Sequence, residues 1–388
     1  MKRKSSLFFS LALTLVLLLA CLLPALAALT PEKQLQFNDD GTFTILQLAD
    51  TQDGFFPRPP MIEFIDAVLD QVQPDLVIFT GDNITGSSFI APLAKRSIDC
   101  IVSPVEKRSI PFTVTFGNHD DETFVSRETQ LALYQAYENC LAFDADPDLT
   151  GCANHNLTIL SSDGTKTAFN LWLIDSNTYE SNMLGNYDYV HEDQIRWYEA
   201  QSQALETANG GKVPSLLFQH IAVPEIYQLL KPTAPGTKGS KEYAGTTWAL
   251  ELNPDLASGY LGEWPCPPVV NSGQFASWVN RGDIVGAVFG HDHVNSFIGS
   301  YQGIDLIQSP GVNYASYGDN IIRGCRVITL DESDLWSYGS YTLTYDDVLG
   351  TENQTMRKLL GSFLGFPAAA FIALWEGLQK LFAVVWPF

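Results

Sequence analysis

The chain has 388 residues, 46% of them hydrophobic, which is enough for one full core with appendages. Its formal net charge is -22, from 22 Lys or Arg against 44 Asp or Glu. That balance excludes a broad basic surface, and with it nucleic acid as a partner, while leaving room for a locally cationic site such as a metal pair that takes a small phosphate ester.

Met1-Lys2-Arg3-Lys4 followed by an apolar run over 7–23 has the form of a signal peptide, and Ala25-Leu26-Ala27 supplies a cleavage motif. The expectation is a leader over 1–27 and an exported product, extracellular or on the cell surface; an uncleaved N-terminal anchor is the alternative. Cys21 leaves with the leader. Of the remaining five cysteines, Cys140 and Cys152 flank a polar loop and are the best disulfide pair for an exported protein.

One pattern then repeats. An apolar, β-forming run over 43–49 ends in Asp50, with Gln52 just beyond. A helical spacing follows over 59–72. The run 76–79 ends in Gly81-Asp82-Asn83, and a carboxylate straight after a buried strand is costly unless something pairs it. After a helix over 89–102, the run 111–116 ends in Gly117-Asn118-His119-Asp120. A helix is expected over 127–141, then strands over 152–160 and 167–174, the second reaching Asp175. A helix over 191–207 precedes the run 215–219, which ends in His220. Residues 231–268, rich in Gly, Pro, Thr and Lys, read as a long loop over the site. A short helix over 275–279 leads to the run 285–289 and Gly290-His291-Asp292-His293. Strands at 304–308, 323–330 and 340–345 close the pattern. Alternation of β and α early, with more β late, fits a layered α/β sandwich over 28–350. His155 reads as a surface residue and His191 as a solvated helix opener.

The segment 356–388 differs. From Leu359 it is almost wholly apolar, and Glu376, Gln379 and Lys380 form one narrow polar stripe at helical spacing. Trp375 and Trp386 suit a membrane interface, so the expectation is a helix lying on a membrane surface; a docking helix is the alternative.

Asp, Asn and His at several strand ends, without thiolate, make the ligand inventory of a hydrolytic metal site. Asp50-x-Gln52, Gly81-Asp82-Asn83, Gly117-Asn118-His119-Asp120, His220 and Gly290-His291-Asp292-His293 resemble, in order and spacing, the signature blocks of calcineurin-like metallophosphoesterases. The stretch from Val270-Asn271-Ser272-Gly273 to His293-Val294-Asn295 most resembles the purple-acid-phosphatase-29-like branch. The resemblance implies a four-layer α/β/β/α sandwich with its metal site at the C-terminal ends of the strands. It implies two divalent ions (Mn, Fe, Zn or similar), one held by Asp50, Gln52, Asp82 and His293, the other by Asp82, Asn118, His220 and His291. It implies hydrolysis of phosphate mono- or diesters by metal-activated water, with His119 assisting the leaving group and Asp120 or Asp121 orienting its ring. Two positions depart from the pattern. Gln52 stands where the family usually has His, which opens a second reading, a phosphoester-binding relative without turnover. Thr85 stands where purple phosphatases place a tyrosine ligand, which argues against a tyrosinate–iron centre.

Overall fold

Pro59 and Pro60 open a helix in the first turn, where the missing amide proton costs nothing, and Gln73 closes it in a left-handed conformation. A computed structural model of the chain describes this helix, α1 (Pro59–Val72), together with everything else in residues 34–180 and 186–351. The expected leader at 1–27 and the apolar segment at 356–388 lie outside the described residues. Among the described residues, no helix is long and apolar enough to cross a membrane.

The smaller of the two main sheets runs β16 (Gly339–Thr344), β15 (Gly324–Asp331), β2 (Thr42–Leu48), β3 (Leu76–Thr80), β4 (Phe112–Thr115). The larger runs β1 (Leu35–Gln36), β5 (His155–Leu160), β6 (Thr167–Leu173), β7 (Ser215–Phe218), β12 (Ile284–Phe289), β14 (Ile304–Gln308), β13 (Asn295–Tyr301), β11 (Ala257–Leu261). A third, three-stranded sheet joins β8 (Leu230–Pro232), β10 (Thr246–Leu252) and β9 (Lys241–Tyr243).

Alternation along the strands sorts the apolar side chains into three cores, and three cores require four layers. Ile45, Leu76 and Ile78 face Phe169, Leu171, Phe218, Val288 and Ile307 across the gap between the two main sheets. Their neighbours Leu46, Val77 and Phe79 turn outward onto α1, α2 (Ala91–Glu106) and α3 (Arg127–Tyr134), with α6 (Tyr345–Leu349) alongside. On the far side, Trp172, Leu217 and Phe289 pack under α4 (Glu192–Asn209) and α5 (Gln274–Arg281). The result is the α/β/β/α sandwich that the resemblance implied, and a layered α/β sandwich as the pattern of elements suggested.

Four details differ from the sequence reading. The expected loop at 231–268 instead holds strands β9, β10 and β11 and the end of β8. Ala244 and Gly245 both take positive φ (48° and 76°), as a tight two-residue turn requires, and join β9 to β10, while β11 becomes the edge of the large sheet. The helix expected over 127–141 stops at Tyr134. Cys140 and Cys152 are free thiols, packed against the same apolar core, and burial pushes Cys140 up to about 12. His155 is fully buried, not on the surface: its Nδ1 lies 2.7 Å from the Ala153 carbonyl and its Nε2 2.7 Å from Thr113 Oγ1, which ties β5 to β4.

Beneath the strand ends a buried polar network joins the two sheets. The Arg326 guanidinium donates to Ser309 Oγ (2.9 Å), Ser340 Oγ (2.9 Å) and the Gln308 carbonyl (3.0 Å). Ser309 donates to Gln47 (2.5 Å), whose amide donates to Thr80 Oγ1 (2.8 Å). Burial lowers Arg326 to about 10, because its partners are neutral dipoles and do not offset the lost hydration.

Two outcomes follow. Arg326→Ala strands several buried acceptors and should lower stability by about 3 kcal/mol, read from the denaturant midpoint; an unchanged midpoint removes the network from the account of how the sheets are joined. His155 is held down to about 4 by burial, below its ordinary 6.5. The unfolded chain therefore takes up a proton first, and stability is lost as pH falls from 6.5 towards 4, by about 3 kcal/mol at most. The stability difference between the wild type and His155→Asn should narrow over that window in pH-dependent urea denaturation; a constant difference contradicts the assignment.

Candidate metal centre

The loops after β2, β3, β4, β7, β12 and β14 meet at one end of the sandwich, and pairing continues past the strands. Asp50 N–H donates to the Gly81 carbonyl (3.2 Å) and Gln52 N–H to the Asp82 carbonyl (2.8 Å). From the other sheet, Val312 N–H donates to the Ala49 carbonyl (3.0 Å) and Gly311 N–H to the His293 carbonyl (3.2 Å). The backbone here is strained where it presents side chains. Asp50, Asp82 and His291 all have positive φ (54°, 49° and 73°), a conformation that costs a non-glycine residue energy and turns its side chain inward. Gly81 and Gly117 make room. A Cβ on Gly81 would sit 2.7 Å from the His220 ring, and one on Gly117 would run into the Asp82 carboxylate.

The ligand-type atoms converge in two overlapping groups, Asp82, His220 and His291 in one, Asp50, Asp82 and His293 in the other, with all atoms of a group within 4.8 Å of each other. Asp82 belongs to both. His220 Nε2 lies 3.0 Å from Asp82 Oδ2 and 3.9 Å from Asp50 Oδ1; His293 Nε2 lies 3.3 Å from Asp50 Oδ1. Despite the proximity, Asp82 Oδ2, His220 Nε2 and Asn118 Oδ1 are buried without a hydrogen-bond partner. Orphaned oxygen and nitrogen lone pairs aimed at a common point fit divalent cations, and the set is all O and N. Outer contacts fix each donor. His220 Nδ1 donates to the Thr80 carbonyl (2.9 Å) and His293 Nδ1 to the Tyr317 carbonyl (2.9 Å), which leaves both Nε2 atoms free. Asn118 Nδ2 donates to Tyr179 Oη (2.7 Å), which turns Oδ1 inward. Gln52 is buried, with Oε1 3.3 Å from Asn313 Nδ2, and the same Asn313 amide donates to the Asp50 carbonyl (2.6 Å).

The carboxylates and imidazoles of the centre also act on one another. Burial opposes charge on Asp82, yet the rings of His220, His119 and His291 hold it well below the usual carboxylate range. Burial likewise opposes charge on His220, but the Asp82 and Asp50 carboxylates raise it to about 10. His291 is driven well below its ordinary value by burial and by His220 beside it.

His119 stands at the mouth, half-exposed. Its backbone N–H donates to Asp82 Oδ1 (2.8 Å), and its Nε2 lies 3.9 Å from Asp82 Oδ2. The ring partner expected at Asp120 or Asp121 is instead Glu122, whose Oε1 is 2.9 Å from His119 Nδ1. His119–Glu122 is one turn of 3₁₀ helix, in which residues i and i+3 eclipse, so Glu122 and not its neighbours stands beside the ring. Asp120 points into the protein. It accepts from the backbone N–H groups of Asn83 (2.9 Å), Ile84 (3.0 Å) and Gly117 (2.8 Å), locking the loops after β3 and β4 together. Burial, with Asp82 nearby, raises it to about 7. Asp175 is also a strut, buried against Arg127 (2.6 Å) and accepting from Cys152 N–H (2.8 Å). His191 caps α4, its Nε2 3.0 Å from Asp188. Sequence reasoning missed Glu122, Tyr179 and Asn313. The 3₁₀ spacing was a usable signal for the first; Asn313, five residues beyond β14, follows the same strand-then-polar pattern as the other sites.

The calcineurin-like phosphoesterase profile matches residues 43–295. The chain is 31% identical over 320 residues to probable inactive purple acid phosphatase 14 of Arabidopsis thaliana, covering 74% of each chain. It is 29% identical over 364 residues to probable inactive purple acid phosphatase 29 of the same plant, covering 85% of this chain and 87% of that one. Among solved structures, a dimetal phosphatase from Danio rerio aligns at 14% identity with a TM-score of 0.44, covering 78% of this chain and 99% of that one. The profile spans well over half of the chain, and with these relatives it assigns the protein to the calcineurin-like phosphoesterase family, on a purple-acid-phosphatase-like branch.

Proposed function

We propose that this protein is a metal-dependent phosphoesterase that hydrolyses phosphate mono- or diesters. The observation that carries the reading is Asp82, a buried carboxylate common to two groups of ligand atoms, with an oxygen that nothing in the protein satisfies. Asp50, Gln52, Asp82 and His293 would hold one divalent ion, and Asp82, Asn118, His220 and His291 the other. Two such ions supply Lewis acidity and a nucleophilic water at neutral pH.

The chain's own contribution is orientation and a proton. Glu122 accepts from His119 Nδ1–H, which turns Nε2 towards the centre. From there His119 donates to the leaving oxygen of an ester held over Asp82. Tyr179 and Asn313 hold the amides of Asn118 and Gln52, and Asp120 holds the loops. The leader at 1–27 and the segment at 356–388 support an exported protein kept at a membrane surface. A second reading, phosphoester binding without turnover, is favoured by Gln52, a neutral and weakly basic ligand, and by the word inactive in the names of both plant relatives.

Elemental analysis and a panel of phosphomonoesters and diesters decide between them. Asp82→Ala should lose both ions and all hydrolysis. His119→Ala should keep the ions and lose about 10²–10⁴-fold in turnover, most on esters with poor leaving groups. If the wild type binds phosphate with both ions present and turns over none of the panel, the binding-only reading stands instead. Gln52→His should tighten one of the two ions, measured by competition with a chelator; an unchanged affinity means that Gln52 is not a ligand.

A further inference from the structure

Single exposed apolar residues are ordinary. Here their placement is not. Among the described residues the three most exposed large apolar side chains are Phe124 (91%), Ile321 (72%) and Val269 (67%). Each sits on a different loop, and the strand pairings bring all three loops to the end of the sandwich that carries the centre. Phe124 follows β4, which is parallel to β3. Ile321 lies between β14 and β15, and β14 is parallel to β12. Val269 follows β11, which pairs antiparallel with β13, itself antiparallel to β14, so β11 ends where β14 ends.

They also stand close to the chemistry. Phe124 is two residues beyond Glu122, the partner of the His119 ring. Ile321 shares its loop with Tyr317, which is half-exposed and stacks on His293 with ring centroids 4.3 Å apart. Val269 precedes Val270, which lines a separate crevice with Gln219 and Ile221, the chain neighbours of His220. Three loops at the end that carries the centre thus each present a highly exposed apolar side chain, as a docking surface would.

We propose that this rim docks on an electrically neutral lipid bilayer, so that the centre opens towards the membrane and acts on phosphate esters carried by lipid. The occupant follows from two further facts. β16 is antiparallel to β15 and β15 to β2, so β16 ends at this same end of the molecule, and the described chain stops a few residues later. The sequence beyond that point, from Leu359 to Phe388, is almost wholly apolar. The net charge of -22 selects a zwitterionic surface over an anionic one. The substrate class rests on the phosphoesterase reading; the docking surface does not.

The test uses the full chain and the variant Phe124→Ser/Val269→Ser/Ile321→Ser, with metal content as the check of folding. Flotation with phosphatidylcholine vesicles measures docking. Hydrolysis of phosphatidic acid, included as a minor fraction so that the vesicles stay close to neutral, is compared with that of soluble phenyl phosphate. The wild type should float, and the variant should lose at least tenfold in its preference for the vesicle-borne ester while its rate on phenyl phosphate is unchanged. If the variant floats and hydrolyses both esters as the wild type does, or if the wild type stays in solution, the proposal is overturned. If the wild type sediments as a dimer without lipid and the variant as a monomer, the rim joins two copies of the chain and the membrane assignment falls. If neither protein hydrolyses any ester but the variant loses flotation, the docking surface stands and the phosphoesterase reading fails.

Discussion

Everything at the end that carries the candidate metal centre answers to one unfavourable fact, a buried carboxylate at Asp82 with an oxygen that has no hydrogen-bond partner. Leaving a buried carboxylate oxygen unsatisfied is costly, and the imidazoles around Asp82 offset its charge without giving that oxygen a hydrogen bond. The protein organises itself to keep that arrangement. β3, which delivers Asp82, is buried along its whole length and flanked by β2 and β4. Three residues accept left-handed backbone to turn inward, and Gly117 gives up its side chain so that the carboxylate fits. Strain concentrated at one place, with close packing beneath it, is the signature of a site and not of a fold.

The support is itself polar, which is less usual. Asp120 replaces water for three backbone N–H groups at the junction of the two loops, and the network from Arg326 to Gln47 and Thr80 runs across the gap between sheets just below. An apolar core would join the sheets more cheaply, but it fixes register loosely. Directional bonds fix the height of β2 and β3 against β14, and a centre assembled from both sheets depends on that height.

How much of this was legible in the sequence follows from what each signal encodes. The strands were, because apolar runs of four to seven residues ending in Gly, Asp or His combine two independent cues at one place. The side chains that converge were legible as residue types for the same reason. What failed was direction. Asp120, Asp121 and Glu122 are equally plausible neighbours of His119 in a linear string, and only the 3₁₀ turn selects Glu122 and sends Asp120 inward. His155 read as surface because the residues beside it are polar, yet alternation on β5 buries every second side chain, His155 among them. The small sheet at 230–252 was hidden because its strands are short and its turn, Ala244-Gly245, is not among the common hairpin dipeptides. The disulfide was inferred from compartment, which says that a pair can form and nothing about whether the two cysteines face each other.

Gln52 shows where geometry says more than residue type. An amide in place of an imidazole leaves the formal charge of the ligand set unchanged, so the balance between Asp50, Asp82 and the cations they would hold is not disturbed. Only donor character differs: an amide oxygen is harder and less basic than an imidazole nitrogen, and favours Mg or Mn over softer ions. The Asn313 amide, which also clamps the Asp50 carbonyl, fixes which atom of Gln52 carries the lone pair available for coordination. If Gln52 holds an ion as proposed, the substitution would retune that position, and the identity of the metal would be the property most sensitive to position 52.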